Sequence, residues 1–88
     1  MKFLEPVFSK QQSFYNKAYV KLEPMTMTYT LESYMTPVIQ IMDRRIIWIT
    51  ENDNHLTQTT MKHIREFLKQ NSMYPLTKSD LIELREKL

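Results

Sequence analysis

The sequence predicts an α+β domain, an antiparallel sheet of about four strands followed by two C-terminal helices packed on one face. Three observations predict it. The first half of the chain holds short runs rich in β-branched and aromatic residues, with apolar positions recurring every second residue. After Asn52-Asp53-Asn54 the apolar period lengthens to about 3.6. The chain of 88 residues, with no internal repeat and no long linker, fits a single domain over 1–88.

Residues 1–13 lack a period. Phe3, Val7 and Phe8 mark an N-terminal arm that packs on the remainder, and Gln11-Gln12-Ser13 reads as a loop. The sheet is expected over 14–56. Ala18-Tyr19-Val20-Lys21-Leu22 alternates weakly and stops at Glu23-Pro24, because proline lacks a ladder donor. Met27-Thr28-Tyr29-Thr30-Leu31 sets large apolar side chains against two threonines, which predicts one buried and one polar face. Pro37 opens Val38-Ile39-Gln40-Ile41-Met42, Asp43-Arg44 forms a tight turn, and Ile46-Ile47-Trp48-Ile49-Thr50 completes a hairpin. The near-continuous apolar character of these two runs predicts strands covered on both faces or placed at the sheet centre. Lys21 and Pro24 are expected to guard a sheet edge. The chain contains no glycine, so positive φ falls to Asp or Asn, and Asn52-Asp53-Asn54 is the clearest such place.

Helix 1 is expected over 57–71. Thr57 is its N-cap, and Thr60, Ile64, Phe67, Leu68 and Asn71 share one face, while Lys62, Arg65, Glu66 and Lys69 lie on the other. Helix 2 is expected over 76–88. Thr77-Lys78-Ser79-Asp80 has the spacing of a capping box, flanked by Leu76 and Leu81 as a hydrophobic staple. Leu81, Leu84 and Leu88 form its apolar stripe, and Glu83 and Lys87 an i,i+4 ion pair.

The composition narrows function mainly by exclusion. Without glycine there is no phosphate-binding loop, nucleophile elbow or dinucleotide turn, each of which needs backbone positions that glycine alone fills comfortably. Without cysteine there is no disulfide, thiolate metal site or cysteine nucleophile, which fits a reducing cytoplasm. The opening MKFLEPVFSK is interrupted by Glu5 and Pro6, so no signal-peptide core is expected. No apolar run approaches the ~20 residues of a membrane span. A net charge of +2, with acids and bases intermixed, is too mild to establish nucleic-acid binding.

Candidate chemistry is sparse. His55 and His63 miss the i,i+4 spacing that lets one helix face present two ligands, so no metal site is expected. A His63–Glu66 pair at i,i+3 offers an acid–base couple. The ordinary alternative is a packed His63 hydrogen-bonded to a sheet residue such as Tyr34 or Thr36. Neither a catalytic set nor a cofactor is expected, and the chain reads as a non-enzyme. Met27, Met42 and Met61 read as core, and Met25, Met35 and Met73 as exposed contacts near turns. Lys62, Arg65 and Lys69 form a basic ridge on helix 1. With Arg44 and Arg45 of the hairpin turn, they make the partner-binding surface expected here. The same cations suit phosphates, and Tyr15, Tyr19, Tyr29 and Tyr34 offer stacking faces, so a nucleic-acid partner is the alternative. An open sheet edge also allows a homodimer.

Three patterns carry a resemblance: Phe14-Tyr15-x-Lys17-Ala18, then Ser33-Tyr34-x-Thr36-Pro37-Val38, then Thr57-x-Thr59-Thr60-x-x-His63-Ile64-x-Glu66-Phe67-Leu68. Together they resemble an uncharacterised domain family of small proteins in Firmicutes bacteria, their plasmids and their phages. The likeness spans roughly residues 14–71 and is most specific in the helical block. The resemblance implies a fold and a genomic context but no activity. That context is a phage or mobile-element accessory protein in the host cytoplasm, inhibiting a host protein such as a defence nuclease. The chain departs from the pattern in lacking a glycine before the helix and in adding the helix over 76–88.

Overall fold

A computed structural model describes residues 2–8, 14 and 17–88. Five antiparallel strands pair in the order of the chain: β1 (Lys2–Phe3), β2 (Ala18–Glu23), β3 (Thr28–Ser33), β4 (Thr36–Met42) and β5 (Arg45–Ile49). A 3-10 turn at Asp53–His55 leads into α1 (Gln58–Gln70), and α2 (Lys78–Arg85) follows. The α+β expectation holds, with five strands in place of about four. The added strand comes from the expected arm, where Lys2 pairs with Val20 and Phe3 with Tyr19. Lys21 and Pro24 therefore do not sit on the outermost strand. Leu4, next in the arm, is buried in the core. The expected loop at 11–13 lies outside the described residues.

One sheet face is covered and the other is open. Val20, Leu31, Ile39 and Ile49 stand in one register row across β2 to β5, facing Ile64, Phe67 and Leu68 of α1 and Leu81 of α2 in a single cluster. On the outer face the corresponding row is Lys21, Thr30, Gln40 and Trp48. The apolar hairpin is thus covered on one face only, and β5 is an edge strand. Two register shifts explain the misleading run. One between Leu31 and Glu32 leaves Val38 unpaired, and one between Gln40 and Ile41 leaves Ile47 unpaired. Each bulge inserts an extra residue, so an apolar residue falls where alternation would place a polar one.

The tight turns show how the chain manages without glycine. Ser33 pairs with Thr36 and Met42 with Arg45, leaving two-residue loops between twisted strands. Such loops favour positive φ at both central residues. Tyr34 and Met35 supply φ of 52° and 66°, and Asp43 and Arg44 supply 51° and 56°. Asp43 matches its expected role. Among the described residues, positive φ falls at Met27, Tyr34, Met35, Asp43, Arg44 and Ser72, and not at 52–54, where it was expected.

Helix boundaries follow local chemistry. Thr57 accepts the Thr60 N–H to start α1. Ser72, at positive φ, ends it in a Schellman arrangement in which the Met73 N–H reaches the Leu68 carbonyl and the Ser72 N–H that of Lys69. Thr77 and Asp80 form the reciprocal capping box of α2, and the backbone hydrogen bond from Thr77 holds the Asp80 carboxyl below its ordinary pKa. Helix 2 is shorter than expected and leaves Leu88 55% exposed. Its far end is tied to the sheet by Arg85, whose Nη1 donates to the Thr50 carbonyl at 2.8 Å and to Asp53 Oδ1 at 2.6 Å. Among the described residues no helix is long and apolar enough to cross a membrane.

Candidate functional site

α1 presents its apolar stripe to the sheet, which turns Lys62, Arg65 and Lys69 outward. Lys62 and Arg65 do not meet the hairpin arginines. They line a groove of about 530 Å³ between α1 and α2, floored by Leu56 and Met61, and Lys78 enters it from the first position of α2. Among the described residues, the side chains of Lys62, Arg65, Lys69 and Lys78 make no ion pair or hydrogen bond. Arg44 lines a different hollow of about 560 Å³ with Met27, Tyr29, Ile41, Met42 and Asn71. Arg45 lies across from Met42 on the outer sheet face. The expected five-residue surface is therefore divided, and Lys78 is a member that reading one helix at a time does not find.

Glu66 leaves the basic ridge altogether. It is buried, and its carboxylate accepts the Phe8 N–H at 2.9 and 3.2 Å and the Gln70 side chain at 2.6 Å. Gln70 also donates to the Glu5 carbonyl, so the arm is strapped along one flank of α1. The His63–Glu66 couple is divided as well. His63 is fully buried, its Nδ1 lies 2.8 Å from Ser33 Oγ, and Ser33 Oγ lies 2.7 Å from Thr60 Oγ1. The sheet partner is thus Ser33, beside the expected Tyr34 and Thr36. Phe14 packs against the imidazole at 4.6 Å, edge to face. Nε2 has no hydrogen-bond partner among the described residues. Burial, with a smaller contribution from the positive charge of Lys17, lowers the His63 pKa to about 4, so the ring is neutral near pH 7.

On the other side of this buried chain lies a polar hollow of about 440 Å³. Ser33, Tyr34 and Thr36 line it from the β3–β4 hairpin, and Thr57, Thr59 and Thr60 from the start of α1. Two of the three patterns quoted from the sequence thus converge on one place. His55 also borders it, held by long contacts to Thr50 and Asn52 at 3.3 and 3.4 Å. Among the described residues no three His, Asp or Glu side chains gather as a metal cage.

The methionines divide differently from expectation. Met61 is buried and Met25 and Met35 are 90% and 79% exposed, as their positions imply. Met27 and Met42, expected in the core, are open to solvent beside the turns, while Met73 packs against the core. Tyr19 stacks on Phe3 at 4.7 Å on the outer sheet face, and Tyr15 lies outside the described residues.

Residues 2–83 match the family model described as a family of unknown function (DUF8033). The chain belongs to this family. The DUF8033 match begins in β1 and ends within α2, so it takes in both the added strand and most of the second helix. The expectation that helix 2 is an addition peculiar to this chain is thereby corrected: it belongs to the DUF8033 domain and buries Leu81 in the common core. No curated protein and no solved structure matches the chain.

Proposed function

We propose that this DUF8033 domain is a small non-enzymatic protein-binding module. In this reading it is an accessory protein of a Firmicutes phage or other mobile element that modulates a host factor in the host cytoplasm, a defence nuclease being one candidate class. The observation that carries the reading is the state of the outward side of α1: Lys62, Arg65 and Lys69 are exposed and have no partner within the described chain. Unpaired charges at a surface steer association and select partners of opposite potential. The test is affinity capture from host lysate with nuclease present, comparing wild type with a Lys62→Glu/Arg65→Glu/Lys69→Glu variant. A protein retained by wild type and lost by the variant supports the reading. An identical captured set for both proteins refutes α1 as the docking surface.

The same unpaired cations favour a nucleic-acid partner as the competing reading. Three neutralised phosphates give a log affinity that falls with log salt with a slope of about −2 to −3. A gel shift that weakens along that slope supports nucleic acid, and no shift at micromolar protein removes it. Size-exclusion chromatography during the same work separates a monomer from a homodimer.

A further inference from the structure

We infer that the groove between α1 and α2 takes a carboxylate-bearing segment of a partner protein, held by Lys62, Arg65 and Lys78 over the apolar floor of Leu56 and Met61. The inference rests on the protein-binding reading and names the chemistry of the partner. Three cations carried on two helices converge on one hollow, and among the described residues no carboxylate lines it. Among the described residues, three other cations have carboxylate partners, Lys21 with Glu32, Arg85 with Asp53 and Lys87 with Glu83, whereas none of the three at the groove has one. The acids nearest Lys78 in sequence are engaged. Asp80 accepts the Thr77 N–H in the capping box, and Glu83 pairs with Lys87. Lys78 also stands at the first position of α2, where the helix dipole disfavours a cation, and that end raises the positive potential of the groove.

An acidic segment suits this arrangement better than a nucleic-acid backbone does. Phosphates along a strand need cations along a track. Here three gather around one hollow, while Arg44 borders a separate one and Arg45 lies on the outer sheet face. The floor adds a place for an apolar side chain between carboxylates, since Leu56 and Met61 face the groove from the core.

The experiment is fluorescence anisotropy with a short labelled peptide of alternating glutamate and leucine, beside a labelled DNA single strand of random sequence. Wild type is expected to bind the peptide, and Lys62→Glu/Lys78→Glu to bind it roughly tenfold more weakly. The neutral variant Lys78→Gln should show a smaller loss in the same direction, and Lys69→Glu a change below about twofold. Circular dichroism establishes that each variant is folded. Equal peptide binding by wild type and the double variant overturns the inference, as does tighter binding of the DNA than of the peptide. Failure of wild type to bind the peptide also overturns it. The broader protein-binding reading then stands or falls on the lysate capture, whose readout is independent of this probe.

Discussion

Lowering the pH from about 7.5 to about 4.5 should destabilise this domain through His63, and the size of the effect follows from linkage. The folded imidazole stays neutral down to about pH 4, whereas in the unfolded chain it protonates near its ordinary value of 6.5. Between those values the unfolded state binds more protons, so stability falls as the pH drops through that window and is fully present above it. The slope approaches about 1.4 kcal/mol per pH unit. The total is about 3 kcal/mol at the limit and about 2.5 kcal/mol at about pH 4.5. The structural cause is specific. A protonated ring would lie buried between Ser33 and Phe14, with Lys17 nearby adding repulsion. Against the ~5 kcal/mol typical of a small domain, this is a large fraction. Urea unfolding followed by the fluorescence of Trp48, the sole tryptophan, measures it across the pH series. A His63→Asn variant is less stable at neutral pH but loses the His63 share of the slope, so the difference between the two series isolates the ring. Equal slopes for wild type and variant would refute the reasoning. So would an imidazole NMR resonance of folded His63 that titrates near pH 6.5.

Two further perturbations test packing and backbone conformation. Met35→Gly should stabilise the fold. The left-handed conformation at Met35 costs about 1–2 kcal/mol with a Cβ, the glycine returns about 0.4–1 kcal/mol to the unfolded chain, and the exposed side chain forfeits little packing. The melting temperature is therefore expected to rise by a few degrees, and a fall would count against strain at that turn. Leu81→Ala should cost about 3 kcal/mol, because Leu81 is the one fully buried side chain of α2. Urea midpoints measure it, and a loss below about 1 kcal/mol would mean that α2 is not anchored through the core.

What the residues disclose depends on the range over which each feature is determined. Thr57 and Thr77 are legible as helix starts because each cap satisfies a backbone donor three residues away, a purely local exchange. The β3 strand is legible from the alternation around Thr28 and Thr30, since one face is buried and the other open. Strand β1 is not legible. Two residues with no period become a strand only because β2 offers them an edge. Glu66 sits beside the charged positions of the helix and reads as solvated, yet the arm arrives from 58 residues away to cover it. The bulges at Val38 and Ile47 mimic two-sided burial, because an inserted residue shifts the alternation that sequence reading relies on. The candidate groove was half legible for the same reason. Lys62 and Arg65 share one helix, but Lys78 joins them only through the packing of α2.

The strand order also governs how the domain assembles. Every strand pairs with its sequence neighbour, and two of the hairpins close over loops of two residues, so little chain entropy is lost in forming β2 to β5. The longest-range ties among the described residues are those of the arm, Phe8 to Glu66 and Glu5 to Gln70, which span 58 and 65 residues. Both ties need α1 in place, so the arm is expected to fasten after that helix has formed. Its release would uncover Glu66 while leaving the pairing of β2 to β5 intact.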